Sequence, residues 1–433
     1  MNSPEFTLLL FQEWDIMLIA VLIVMFFYFI LFRKYILSIF DPLLFNLFFS
    51  TIGASTMLFL YIIGKIEWKY FLFYLLTQTA FFIGFIFFRP ISIKTKYNKE
   101  NKTYNMLAIK YFYLISSVLL FLFQLFIYVF KGIPLFMESR LNVIGNDTLF
   151  KIYNRLRDVF YIPVVLLMFY FIFTKKNKKL KFYSFFILFF VVISNILNGA
   201  KSALINIVLI YFIYSLFSLR MSNQIPLNLL KKHTKKIFVF ALLGAVVVVF
   251  FSEKTDNAFF FILYRILIGG DSYFMTFPYG TIEYFVARDN WFINLFASPL
   301  SLLGIIPSSE IPPSLGFDIM AYHYKAFLFK GPNPRHNILG YVYIGYYGAI
   351  LFSFILGLLL GFIRNKLYKL LTAGPIGLVI YGSFLFSVLM LETDFYNGLA
   401  SLINSFICLF FIYISYILSK VQKNDINCYH PHI

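Results

Sequence analysis

The chain is short of charge and nearly devoid of cysteine. Only 13% of its 433 residues are charged and 61% are hydrophobic. Soluble proteins carry about 25% charged and about 45–50% apolar residues. An ordinary soluble domain and a disordered chain are both excluded. There are two cysteines, Cys408 in an apolar run and Cys428 in the polar tail. Such a pair cannot staple a secreted scaffold, and no ligand-spaced cluster exists for zinc. Also missing are a Gly-rich Lys loop for phosphates, the serine-hydrolase elbow and the zinc-protease helix. No span carries a ladder of Arg or Asp, which argues against a voltage sensor or a proton pump. We expect no cofactor and no metal. The N-terminus has no basic region ahead of an apolar core, so the first apolar run reads as a span and not as a cleaved signal.

What is present is aromatic and apolar. There are 60 Phe and 32 Tyr. Apolar runs near twenty residues recur throughout, as in a polytopic membrane protein. We place eleven spans, near 16–32, 43–63, 70–88, 111–130, 159–174, 182–197, 202–219, 237–252, 337–363, 374–391 and 397–419. The expected fold is an all-α transmembrane helical bundle forming one integral membrane domain over 1–433. Short helices are expected within its large outer loop.

The net charge of +18 decides orientation. With the N-terminus outside and the C-terminus in the cytoplasm, the cytoplasmic segments hold 23 of the 37 Lys and Arg and 3 of the 19 acids. That is the positive-inside pattern. The lysines at 175, 176, 178, 179 and 181 are then a topology anchor against anionic lipid. No nucleic-acid partner is expected. One outer segment, 131–158, fits less well, with five basic and three acidic residues. A second outer segment, 253–336, has apolar patches at Phe259–Ile268 and Phe292–Ile306 that suit interfacial or re-entrant helices. Chemistry is expected on this outer face.

The candidate residues come by elimination. Of five histidines only His323 and His336 face outward. His336, beside Arg335 where the outer loop enters the ninth span, could be a general base or an interfacial His bonded to water. The outer cations Arg140, Lys201, Arg265, Arg288 and Arg335 could hold a diphosphate or snorkel to headgroups. Arg155 and Arg157 read as residues flanking the fifth span. Asp271 follows two glycines. Glu392-Thr-Asp394 could hold a divalent metal or could be an acid-rich outer turn. Tyr273 lies in an aromatic run, 273–279, that could stack sugars or join the interfacial belt.

Three stretches together resemble the bacterial O-antigen polymerase family, the Wzy-type oligosaccharide repeat-unit polymerases. They are Gly132-Ile-Pro-Leu-Phe136 with Ser139-Arg140-Leu, the hairpin Asn198-Gly-Ala-Lys201-Ser-Ala-Leu-Ile205, and His336-Asn337-Ile-Leu followed by Gly345-Tyr-Tyr-Gly348. The third is shared with the related O-antigen ligases. The second carries Lys201 where the family has Arg. The resemblance implies a GT-C-like glycosyltransferase of the bacterial cytoplasmic membrane. Its substrates would be undecaprenyl-diphosphate-linked oligosaccharides, polymerised into O-antigen or capsule. A flippase and a chain-length regulator would be partners. His336 would be the base, and the five outer cations would hold the leaving diphosphate. A lipid-linked oligosaccharide flippase and an O-antigen ligase are the alternatives. A flippase would carry its charges mid-span and not at the outer rim.

Overall fold

The computed structural model describes residues 4–92, 106–137, 148–173, 177–199, 203–221, 239, 268–286, 290–302, 305–307, 310–325 and 331–429. Among them no strand occurs. Eight stretches among the described residues are long and apolar enough to cross a membrane, and one of these, His336–Met390, takes in two of the expected spans. Every expected span falls on a helix except 237–252, which lies outside the described residues.

The chain forms two compact units, each assembled from separate stretches. The first comprises Met1–Ile91, Phe260–Leu367 and Ser387–Ala400. It opens with α1 (Pro4–Gln12), whose Phe6 is buried in a stack on Phe274 with centroids 4.8 Å apart. The span α2 (Trp14–Phe32) follows and leaves Leu18, Leu22, Phe26 and Phe29 exposed, as a lipid-facing helix does. α3 (Pro42–Ile62) starts on a strong signal. Asp41 is its N-cap and accepts from the Leu43 amide at 2.9 Å, and Pro42 takes the first helical position. α4 (Trp68–Ile86) returns antiparallel after a short turn.

Four short helices come next in this unit: α9 (Asp271–Thr276), α10 (Ile282–Phe285), α11 (Trp291–Leu302) and α12 (Leu315–Tyr324). They supply the short helices expected of 253–336. They are followed by α13 (His336–Gly361), which is not one rod. Gly345 has φ 80° and ψ 179°, a backbone region that only glycine enters freely. The two limbs fold back, so that a Cβ on Gly340 would meet the Ala349 Cβ at 2.8 Å. Both limbs lie along α4. The first runs against it, with His336 beside Phe81, Asn337 on Thr77 and Tyr341 beside Phe73. The second runs with it, from Tyr346 beside Phe73 to Gly357 at Phe81 and Gly361 at Phe85. Close approach needs small residues there. A Cβ at Gly357 would lie 1.9 Å from the Phe81 carbonyl oxygen, and one at Gly84 would lie 2.3 Å from that of Phe354.

This hairpin corrects one expectation. His336 does not open one long span but a short limb folded back along α4. It lies about 20 Å along α4 from the Trp68 end, counting 1.5 Å per residue, level with Phe81. Hydropathy cannot distinguish a long straight span from a short limb and a span joined by a reversal, because both are apolar throughout.

The second unit comprises Ser92–Phe259, Tyr368–Phe386 and Ser401–Ile433. Its described helices are α5 (Met106–Lys131), α6 (Thr148–Phe173), α7 (Lys178–Leu197) and α8 (Ala203–Arg220). It also holds most of α14 (Gly374–Met390) and of α15 (Phe395–Tyr429). α6 is its core helix, with Val164, Val165, Leu166 and Met168 fully enclosed. Polar side chains pair inside it. Tyr113 donates to Ser184 at 2.9 Å, and Gln124 and Tyr128 both donate to the Asn198 side-chain oxygen at 3.0 and 3.1 Å. Such pairing is required where no water can substitute.

Candidate functional site

The first unit holds a buried polar cluster around the base of the α13 hairpin. Arg335 caps the helix start. Its guanidinium Nη2 donates to the Phe49 carbonyl oxygen of α3 at 2.9 Å and to the Gly269 carbonyl oxygen at 3.2 Å. Room for it comes from Gly53, since a Cβ there would stand 2.7 Å from the guanidinium carbon. The cation also faces the ring of Tyr273, 5.7 Å from its centroid. No carboxylate bridges to Arg335 among the described residues. A cation 5% exposed and held by carbonyl dipoles and an aromatic face, with no carboxylate in contact among the described residues, is costly, which marks it as a functional candidate.

His336 is fully enclosed, with its ring 5.2 Å from that of Phe81. Its Nδ1 lies 3.3 Å from the Glu392 carbonyl oxygen. A carbonyl can only accept, so Nδ1 carries the proton in the neutral ring. That leaves the Nε2 lone pair bare, and Nε2 has no partner. Asn337 is satisfied on both sides, taking the Tyr273 hydroxyl at 2.7 Å and donating to Thr77 at 2.8 Å.

Glu392 completes the cluster and is only 2% exposed. Gln78 donates to its Oε1 at 3.2 Å and to Ser50 at 3.2 Å, while Oε2 has no partner. Burial pushes this carboxyl above the ordinary range, against the pull of neighbouring donors and of the Arg335 charge. A raised carboxyl lets the folded chain hold a proton that the unfolded chain releases. The contribution of Glu392 to stability is therefore greatest at low pH and falls as pH climbs above the ordinary value of 4.5. We expect Glu392→Gln to keep the Gln78 contact and to remove this loss. Its melting temperature in detergent should vary less with pH than that of the wild type and exceed it at neutral pH. A steeper pH dependence in Glu392→Gln would contradict this.

The other candidates divide. Arg140, Lys201, Arg265 and Arg288 lie outside the described residues. Tyr273 is 1% exposed, so it is a buried donor to Asn337 and not a sugar-stacking face. The aromatic run that contains it packs inward through Phe277 as well. Asp271 opens α9 and is half-buried. His323 is exposed on α12 with Nε2 2.6 Å from the Met275 carbonyl oxygen, a bond that pins the ring away from the cluster. The acid pair 392/394 splits between two tasks. Asp394 caps α15, accepting from the Asn397 amide at 3.2 Å and side chain at 2.6 Å, and takes Asn333 at 2.9 Å. The two carboxylates therefore do not converge on a common ion. Among the described residues no group of three His, Cys, Asp or Glu could hold a metal.

Sequence reasoning missed Glu392 as a partner of His336 and did not single out Gln78 or Thr77. The available signal was a lone Gln inside an apolar run, which is expensive in a membrane unless paired. It also missed Glu283, whose Oε1 takes Tyr341 at 2.7 Å, Lys69 at 2.9 Å and Tyr70 at 3.2 Å. This contact ties the hairpin tip to the Trp68 end of α4. Burial alone would raise its carboxyl, but the Tyr341 and Lys69 donors outweigh it and hold it below the ordinary value.

No family model, curated protein or solved structure matches the chain.

Proposed function

We propose that this is a membrane glycosyltransferase that joins polyprenyl-diphosphate-linked oligosaccharides, in the manner of the O-antigen polymerases. On this reading it is a GT-C-like bundle of about eleven spans in a bacterial cytoplasmic membrane, with the N-terminus outside and the C-terminus inside. Its product is an O-antigen or a capsule. A flippase supplies its substrate, and a chain-length regulator is its partner. One observation carries the reading. A neutral His has its tautomer set by Nδ1 and its Nε2 lone pair unpartnered, one residue from an Arg that has no carboxylate partner among the described residues.

These groups suit the chemistry. The acceptor hydroxyl gives its proton to His336 Nε2 as its oxygen bonds to the anomeric carbon of the donor. The bond from that carbon to the diphosphate oxygen breaks, and the diphosphate leaves with the electron pair. A fixed cation offsets the charge that develops there, and we assign that role to Arg335. Arg140, Lys201, Arg265 and Arg288 are its proposed helpers. Because His336 is fully enclosed, the first limb of α13 must part from α4 for the acceptor to enter.

A second reading, transport of the same lipid-linked substrates, is favoured by one observation. Arg335 and Glu392 lie deep along α3 and α4, where a carrier would need its charges. One experiment separates the two. Purified protein in vesicles is given a lipid-linked repeat unit. A ladder of products supports the transferase. Movement of the substrate across the bilayer with no ladder supports the carrier.

A further inference from the structure

The second unit carries a cation whose partner is missing. Arg155 sits two turns into α6, and both its Nε and its Nη2 are enclosed with no hydrogen-bond partner. These two N–H groups share one edge of the guanidinium, the edge that grips a carboxylate or phosphate with two parallel bonds. Nearby Asp158 does not supply them. Its Oδ1 is taken by Arg157, through Nε at 3.1 Å and Nη2 at 2.7 Å. Leaving two enclosed donors unmet is costly, so an anion is the expected occupant.

Further positive charge gathers at this end of the unit. Lys151 is four residues before Arg155, on the same helix face. Lys131, the last residue of α5, lies with its Nζ 4.3 Å from the Phe150 ring centroid. Asp158 pairs with Arg157 and also attracts Arg155 without a hydrogen bond to it, so the described residues here hold four cations, Lys131, Lys151, Arg155 and Arg157, against one acid. The segment 131–158 is also the one that departs from the positive-inside bias. Cations held on the outer side against that bias need a reason. The turns around Arg155, from Lys151 to Asp158, are half-buried or exposed, and Ile152 is 49% exposed. The site therefore lies at the edge of the bundle, where lipid headgroups are, and a phosphate reaches the enclosed Nε–Nη2 edge only when the side chains covering it shift.

We propose that Arg155, with Lys131 and Lys151, binds the phosphate of a membrane lipid, the Nε–Nη2 edge taking two phosphate oxygens. The site does not depend on the glycosyl-transfer reading. The test uses the full chain in nanodiscs of phosphatidylcholine, with and without phosphatidylglycerol, and reads the melting temperature and the lipid retained in native mass spectrometry. The wild type should gain stability and retain phosphatidylglycerol. Arg155→Gln should lose most of that gain, and Arg155→Lys should keep part of it. The control Lys65→Gln, a cation of the first unit, should keep all of it. The readout is each variant's gain between the two discs, so a general loss of stability in Arg155→Gln does not obscure it. No gain in the wild type, or an equal gain in Arg155→Gln, overturns the site. An equal gain from inorganic phosphate in phosphatidylcholine discs overturns the lipid assignment, as does retention of added polyprenyl diphosphate in preference to phosphatidylglycerol.

Discussion

Arg364→Ala should be the most damaging single substitution in the first unit, costing about 3–5 kcal/mol. Arg364 and Asp41 are both fully buried, with Nη2 2.5 Å from Oδ2. Arg364 lies in a π-helical turn, Phe362–Lys366, that continues α13. It also donates to the Tyr35 carbonyl at 2.7 Å and to the Asn365 side chain at 2.7 Å. Asp41 takes the Leu37 and Leu43 amides at 2.9 Å each. Two charges removed from water are tolerable only while they satisfy each other, and removing one strands the other. Folded proteins hold only about 5–15 kcal/mol in reserve, so Arg364→Ala should melt far below the wild type in detergent or fail to accumulate. Asp41→Asn keeps the α3 cap but strands the Arg, and should fall by a similar amount. The double variant Asp41→Asn with Arg364→Gln should lose less than the two single losses added. Arg364→Lys provides the milder test, since it retains charge but not the fork. If Arg364→Ala melts within a degree or two of the wild type, the pair does not hold this end of the unit together.

The second large effect is on activity. In the ladder assay His336→Gln should slow chain growth by roughly 100-fold to 10,000-fold, the usual worth of a general base. Arg335→Gln should slow it by about 100-fold to 1,000-fold, as when one donor to a developing negative charge is lost. Arg335→Lys should recover little, because an ammonium cannot reproduce the planar contact with the Phe49 and Gly269 carbonyls. Both residues are buried, so a structural loss must be separated from a chemical one. Melting temperature and retention of the lipid-linked donor supply that separation. His336→Gln should still bind donor while failing to extend it. A ladder of normal length from His336→Gln would sink the base assignment.

Much of the fold was legible from residue order. The spans show as apolar runs, and the Asp41-Pro42 start of α3 reads directly from capping chemistry. His336 could be singled out by elimination because only two of the five histidines fall in the expected outer segments, and Arg335 adjoins it. The depth of these two could not. It depends on one glycine adopting a positive φ within an apolar stretch, and hydropathy is blind to that reversal. The partners could not be read either. Glu392 meets Gln78 across 314 residues and Arg364 meets Asp41 across 323, and no local pattern encodes such pairings. Charge counting also treated Asp41 and Arg364 as residues of the cytoplasmic face. They cancel within the protein, which leaves the orientation arithmetic unchanged for a reason the count did not contain.

The hairpin of α13 has a consequence for biogenesis. α4 leaves the ribosome some 250 residues before the limbs that cover it. Until then Thr77 and Gln78 have neither Asn337 nor Glu392 to bond, and Gly84 faces lipid in place of a neighbouring backbone. The first limb has nine residues, 336–344, fewer than the roughly 17–25 needed to span a bilayer by itself. It must therefore be delivered late, together with the second limb, into a slot that has stayed open through most of translation. A chain stalled before Gly345 would present that slot to whatever insertase or chaperone attends it.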